Sequence, residues 1–342
     1  MKLPETRVPD PHEAPGIRWG VLGPGGIARS FADAVAVGTA SRVVAVGSRS
    51  LDRAQVFAAD FDVPRAHGSY EDLVADPEVD AVYVASPHSE HRDHALLALQ
   101  AGKAVLVEKA FARNAAEAAE VFTAARAAGV LVSEAMWSRH LPQYDVVAQV
   151  VGSGLIGELV TVFADHGQPL FPDGPERLAR PELAGGALLD LGVYPISFAD
   201  HVMGPATEVM ASGTLTDLGV DAQSNVLLRN DAGAQAVLSC TMLAATPCTA
   251  AVVGTRGRLE LSGAFYGAAD VRLVDGEHRV VDERPGGFPD DVRGFSYEIA
   301  EFARALTAGE PETAVMTHAT TLRVMETMDE VRRRLGMTYP GE

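Results

Sequence analysis

From residue 17 onward, short apolar runs alternate with longer stretches in which alanine and leucine recur at helical spacing. IRWGVLG (17–23), RVVAVGS (42–48), VDAVYVAS (79–86), AVLVEKA (104–110) and VLVSEA (130–135) read as strands. They are apolar almost throughout instead of alternating, which is the pattern of strands buried on both faces. Between them GIARSFADAVA (26–36), LDRAQVFAAD (51–60), HRDHALLALQAG (91–102) and AAEAAEVFTAARAAG (115–129) read as helices, the last two closed by Gly102 and Gly129. Strand–helix alternation of this kind predicts a parallel, doubly wound sheet.

After about residue 140 the pattern changes. A helix is expected over 142–151, a strand over 157–167, a Pro/Gly-rich loop over 168–186 and a second helix over 187–203. Five strand-like runs follow, beginning ATEVMASGTL, SNVLLRN, AQAVLSCTML, AAVVGTRGRLEL and ADVRLVD, with turn residues such as NDAG (230–233) between them. This predicts an α+β domain built on an open, mainly antiparallel sheet, closed by helices near 292–308 and 317–335. A chain of 342 residues suits two domains. The expected division is a loose tail over 1–15, a Rossmann-type dinucleotide-binding domain over 16–139, and a substrate and dimerisation domain over 140–342.

Charge and cysteine usage narrow the function classes. The formal net charge of −18 argues against nucleic acid and against anionic membrane surfaces. No apolar run approaches the ~20 residues of a spanning helix, and the Pro- and acid-rich start, MKLPETRVPDPHEAPG, lacks the apolar core of a secretory signal. Cys240 and Cys248 are the only cysteines, which suits a reducing compartment, and a cytoplasmic protein is expected.

GPGGIA (23–28) follows the first strand and opens the first helix. It fits G-x-G-x-x-A: Gly23 permits a tight turn, Gly25 lets backbone approach a pyrophosphate, and Ala28 keeps the helix close to the strand. An NAD site would place an acidic residue at the end of the second strand to read the ribose hydroxyls. This chain has Ser48 and Arg49 there, with Arg53 one helical turn on. An arginine in the first turn of a helix opposes the dipole, and a bound 2′-phosphate would offset that. NADP is therefore expected over NAD.

Lys109 is one of only three lysines, with Lys2 and Lys103, in a chain whose other basic residues are arginines. It ends a buried strand, at the edge where α/β folds bind ligands. In GALLDLGVYP (186–195), Asp190 and Tyr194 are four apart, which on a helix puts them on one face. Free tyrosine titrates near ~10, too high for a good base at neutral pH, and a nearby ammonium lowers that value. Lys109 beside Tyr194 would make a usable proton acceptor; the bland alternative is a satisfied buried tyrosine and a solvated lysine. In PHSEHRDH (87–94), His88, His91 and His94 are three apart, but no carboxylate or cysteine cluster accompanies them, so no metal is expected. His91 reads as a pocket residue. Trp137 and Arg139 in MWSRHLP stand at the expected domain junction, with interdomain packing the alternative for Trp137.

RWGVLGPGGIA, the SRS after the second strand, SPHSEH, VEKAF, EAMWSRHLP and GGALLDLGVYP together resemble the Gfo/Idh/MocA oxidoreductase family, over about residues 17–335. The nearest branch is that of dimeric dihydrodiol dehydrogenases and NADP-dependent D-xylose dehydrogenases. The resemblance implies that Lys109 and Tyr194 are the catalytic pair with Asp190 beside them. It implies a cofactor site of Gly23, Gly25, Gly26, Ile27, Ala28, Ser48, Arg49, Arg53, Ser86, Pro87, His91, Glu108 and Lys109. It implies a substrate pocket that includes His91, Trp137, Arg139, Asp190 and Tyr194. Many relatives carry histidine where this chain has Tyr194, and many carry proline where it has Ala110. The implied activity is hydride transfer between NADP and a hydroxyl or carbonyl carbon of a sugar, polyol or cyclic diol, in a homodimer formed through the open sheet. Two alternatives stay open: a non-catalytic dinucleotide sensor, and an NAD-dependent glycosidase of the same family.

Overall fold

In the computed structural model, which describes residues 1–342, the apolar runs of the first half become strands. They are β1 (Arg18–Leu22), β2 (Arg42–Gly47), β4 (Ala81–Val84), β5 (Ala104–Glu108) and β6 (Val132–Ala135), with β3 (Arg65–His67) added between β2 and β4. The helices between them are α1 (Gly26–Gly38), α2 (Leu51–Asp60), α3 (Tyr70–Ala75), α4 (His91–Gln100) and α5 (Ala115–Ala128). The rest of the chain forms α6 (Pro142–Gly152), β7 (Leu159–Gly167), a π-helical turn (Leu188–Gly192), α7 (Val193–Met203) and the strands β8 (Glu208–Leu215), β9 (Asp221–Arg229) and β10 (Gln235–Thr241). Strands β11 (Ala250–Gly254), β12 (Gly257–Leu261), β13 (Val271–Asp275) and β14 (Val280–Arg284) follow, and α8 (Gly294–Ala308) and α9 (His318–Leu335) close it.

One unit comprises Pro9–His140 and Phe288–Leu322. Its six strands lie in the order β3-β2-β1-β4-β5-β6, all parallel, which is the doubly wound order. The helices start where short polar side chains cap them: Ser50, Ser69 and Asn114 accept from the N–H groups of Arg53, Asp72 and Glu117. Trp19, Phe31, Tyr83 and Phe302 meet in the core, with Phe31 stacked on Tyr83 at 3.8 Å and Phe302 5.0 Å from Trp19. Phe302 lies on α8. The sequence reading assigned that helix to a continuous domain over 140–342, whereas its apolar face, with Ile299, Phe302 and Ala303, completes the first core.

The other unit comprises Met1–Val8, Leu141–Gly287 and Arg323–Glu342. Its sheet runs β14-β13-β12-β11-β7-β10-β9-β8, antiparallel except where β7 meets β10. The start of the chain is tied down, not loose. The Leu3 N–H donates to Asp282 at 2.7 Å, and Arg7 pairs with Asp145. Leu178, Leu191, Ala222, Cys240 and Met242 form a core beneath the π turn. Cys240 and Cys248 are both free thiols. On the sheet, Phe163 pairs across to Val237, Val237 to Leu227, and Leu227 to Met210. All four are exposed, so an apolar row crosses β7, β10, β9 and β8. No helix is long and apolar enough to cross a membrane.

Candidate active site

The turn between β1 and α1 is shaped by glycines for two different reasons. Gly23 has φ +92°, and a Cβ there would sit 3.3 Å from the Ala85 carbonyl oxygen, so both backbone and neighbours demand glycine. Gly25 is the N-cap of α1 and supplies no side-chain cap. A Cβ at Gly25 would come no nearer than 4.0 Å to any protein atom, and at Gly26 would meet nothing. The protein's own packing does not require glycine there. What the two residues leave is an open approach to the N-terminus of α1, where free N–H groups and the helix dipole receive an anion. Ile27 is exposed beside it, and Ala28 is fully buried against the sheet. The cradle fits a pyrophosphate.

At the end of β2, Ser48 is buried and its N–H donates to the His67 carbonyl. Ser50 caps α2. Arg49 and Arg53 project as exposed side chains, and neither guanidinium makes an ion pair or hydrogen bond within the protein. Nearby arginines behave otherwise: Arg29 pairs with Asp60, and Arg65 with Asp76. Two uncommitted guanidinium groups beside the ribose position fit a 2′-phosphate.

Past β4 and β5 the side chains are more tightly held. His91 is 1% exposed, with Nδ1 2.9 Å from the Ala110 oxygen and Nε2 2.8 Å from the Ser86 oxygen. Burial pushes its pKa down to about 4, so at neutral pH one ring nitrogen donates while the other faces its carbonyl without a proton. His94 Nδ1 meets Ser86 Oγ at 2.8 Å. Glu108, at the end of β5, accepts from the Tyr83 hydroxyl and from the Lys109 N–H. Lys109 follows, half-buried, and its peptide bond to Ala110 is cis. Glu134 on β6 accepts from the Thr321 hydroxyl at 2.9 Å, and burial pushes its pKa up to about 7. Glu298 on α8 is 1% exposed with neither oxygen hydrogen-bonded; burial, with Glu108 and Glu134 close by, holds it protonated well above the usual carboxylate range. Trp137 stacks on Phe295 at 5.1 Å, and Arg139 is buried near Glu134.

In the other unit, the π turn leads straight into α7. Asp190 lies in that turn, 8% exposed, and accepts from Arg177 Nη2 at 2.9 Å. Tyr194, also 8% exposed, lies in the first turn of α7. Its ring packs 4.9 Å from Tyr266 and 5.2 Å from His166, and those two stack on each other at 4.1 Å. Residues 17–136 match the family described as "Oxidoreductase family, NAD-binding Rossmann fold", and residues 144–260 match "GFO/IDH/MocA C-terminal domain". The chain belongs to the Gfo/Idh/MocA oxidoreductase family.

Among related family members, trans-1,2-dihydrobenzene-1,2-diol dehydrogenase of Xenopus tropicalis is 36% identical over 331 residues, covering 94% of this chain and 99% of the relative. The Mus musculus enzyme of the same name is 35% identical, covering 95% and 99%. Among solved structures, the 3-ketoreductase KijD10 from Actinomadura kijaniata, determined with NADP and TDP-benzene, superposes with a TM-score of 0.82 at 31% identity, covering 93% of this chain and 98% of that one.

Within this Gfo/Idh/MocA protein one expectation changes. One unbroken helix was expected over 187–203; its first turn is π-helical. His91, read as a pocket residue, has both ring nitrogens turned to the backbone carbonyls of Ser86 and Ala110. Glu108, grouped with the cofactor contacts, is 5% exposed and accepts from the Tyr83 hydroxyl and the Lys109 backbone N–H. Trp137 packs on α8. No set of three or more His, Cys, Asp or Glu side chains comes together to hold a metal ion; His91 and His94 instead serve Ser86. Sequence reasoning missed Arg177, His166, Tyr266, Glu134 and Glu298. Only Glu134 left a signal, as an acid inside the apolar run VLVSEA.

Proposed function

We propose that this protein is an NADP-dependent oxidoreductase acting on a hydroxyl or carbonyl carbon of a cyclic diol or sugar, with Tyr194 as general acid/base and Lys109 tuning it. NADP, when bound, supplies the hydride acceptor. The glycine cradle and the two uncommitted guanidinium groups support that cofactor, as does the NADP in KijD10. The names of the frog and mouse relatives support a diol substrate, and that of KijD10 a keto-sugar.

Tyr194 carries the reading. It is a nearly buried phenol, oriented by two rings, on the same short segment as the Asp190–Arg177 pair. In the oxidative direction its phenolate takes the hydroxyl proton while the carbon gives up its hydrogen with both electrons, leaving a carbonyl. In reverse the phenol returns the proton to the carbonyl oxygen. An ammonium close to the phenolic oxygen favours phenolate. We assign that ammonium to Lys109. Asp190, paired with Arg177, is the acceptor we assign to a substrate hydroxyl.

The test is Tyr194→Phe, assayed by nicotinamide absorbance with NADP and a panel of dihydrodiols, aldoses and inositols. General acid/base catalysis contributes ~10²–10⁴-fold, so turnover should fall by at least that lower bound. Turnover within tenfold of the parent removes Tyr194 as the base. NADP binding with no turnover on any member of the panel would favour the sensor reading. The same reading includes a homodimer in a reducing, cytoplasmic setting, joined through the apolar row of Phe163, Val237, Leu227 and Met210.

A further inference from the structure

The segment carrying Asp190 and Tyr194 begins at the glycine pair Gly185–Gly186, and that pair is gripped from two directions. Asp221, the first residue of β9 and 0% exposed, reaches the start of the π turn from the sheet. Its Oδ2 accepts the Leu188 N–H at 2.7 Å, and the Ala187 N–H also points to it. Its Oδ1 is buried with no partner. That oxygen lies 2.1 Å from where a Cβ on Gly186 would stand, and Gly186 has φ +108°. Glycine is therefore demanded twice over: by the backbone, and by the carboxylate pressed against it. From the other direction, the Tyr339 hydroxyl donates to the Gly185 carbonyl at 2.9 Å. Tyr339 is itself fixed: its N–H donates to Glu342 at 2.8 Å. Arg332 lies 4.7 Å over its ring while donating to the same Glu342 carboxylate at 2.9 Å.

The register of the turn is what this grip decides. A π turn holds one more residue than an α turn, and such insertions concentrate at functional sites. If residues 188–192 relaxed to α-helix, everything after them would rotate by about 100°, the angle of one residue. Tyr194 would then leave the rings of His166 and Tyr266. Satisfying the Ala187 and Leu188 N–H groups from outside the helix fixes its first turn. Burial pushes the Asp221 carboxyl up to about 7, and either protonation state keeps an acceptor oxygen for Leu188. We infer that Asp221 and Tyr339 are positioning residues that clamp Gly185–Gly186 and so hold the π register that aims Asp190 and Tyr194. This rests on the reading of Tyr194 as the proton acceptor.

The experiment compares Asp221→Ala, Asp221→Asn and Tyr339→Phe with the parent and with Tyr194→Phe, all as full chains. Amide hydrogen exchange over residues 186–194 needs no substrate. Steady-state rates use NADP with whichever panel alcohol the parent oxidises. Asp221→Ala should lose exchange protection across 187–194 and at least 30-fold in kcat, with the KM for NADP within twofold. Asp221→Asn keeps an acceptor oxygen and should recover to within fivefold of the parent. Tyr339→Phe should lose five- to tenfold in kcat. A merely structural role would lower the melting temperature without this split between kcat and KM and without rescue by asparagine. Unchanged exchange in Asp221→Ala, or a kcat within threefold of the parent, overturns the inference. Should Asp221→Ala not fold, Asp221→Asn and Tyr339→Phe decide: Tyr339→Phe with kcat within twofold of the parent and unchanged exchange overturns it. If Tyr194→Phe keeps full turnover while Asp221→Ala loses both protection and kcat, the clamp stands and the assignment of the base is what fails.

Discussion

Replacing Arg49 and Arg53 together by alanine separates cofactor choice from stability, because the structure commits neither side chain to anything else. Both are exposed, and neither has a carboxylate or carbonyl partner to strand. Removing them should leave the melting temperature within about a degree of the parent, since surface substitutions away from such contacts change stability by within ~0.5 kcal/mol. Against a 2′-phosphate each would make a charge-assisted hydrogen bond, worth ~1.5 kcal/mol at the lower end of the range for charged groups. Each such bond is then worth roughly tenfold in affinity. The two would serve one phosphate, so their effects should fall short of additive. The expected outcome is a loss of about 30- to 100-fold in kcat/KM with NADP for the double variant. With NAD, which has no 2′-phosphate, the change should stay within about twofold. Raising the salt should weaken NADP more steeply in the parent than in the variant, because screened surface charges supply the difference. Equal losses with NADP and NAD, or a parent that prefers NAD, would refute the reasoning.

Two further outcomes bear on the buried acid and on the open sheet. Burial holds the Glu134 pKa at about 7, so its protonated form contributes stability in full below the ordinary carboxylate range and that contribution is lost as pH rises through 7. A shift of this size corresponds to roughly 3 kcal/mol, and Glu134→Gln should flatten the fall in urea-unfolding stability between about pH 5 and pH 8; parallel pH profiles would count against it. Phe163→Asp places a charge in the middle of the exposed apolar row. Sedimentation should then report a monomer where the parent sediments as a dimer, and identical sedimentation of the two excludes that face.

The first sheet was legible because its strands are mostly buried on both faces and therefore largely apolar, with Ser133 and Glu134 in β6 the clear exception. β3 and α3 were not, because RAH is three residues long and YEDLVA is short and one-third charged. α8 was legible as a helix, but helical periodicity states only that one face is apolar, not which core receives it. Phe302 reaches Trp19, far away in the chain. The same limit explains the site. GPGGIA and GALLDLGVYP announced themselves because their chemistry is local. His166, Tyr266 and Asp221 reach the Tyr194 segment from β7, from the loop after β12 and from the start of β9, through pairings no local spacing encodes. The π turn was illegible for a related reason: the acid that caps it comes from another strand.

The scarcity of lysine bears on the role of Lys109. Arginine makes nearly all the ion pairs here, often through two nitrogens, as Arg18 does with Asp80 and Arg323 with Asp200. Lys103 is used differently. Its Nζ is set between two carbonyl oxygens, Asp76 at 2.9 Å and Val79 at 2.8 Å, closing the backbone after α3. A planar guanidinium prefers the paired oxygens of a carboxylate or phosphate, whereas a compact ammonium meets separate single atoms from a point. Lys103 thus shows one nitrogen serving two separate oxygens. Next to Lys109, the Glu108 carboxylate accepts from the Tyr83 hydroxyl and from the Lys109 backbone N–H. The strand end is therefore anchored through its backbone. A compact ammonium suits the role proposed above for Lys109 at a single phenolic oxygen.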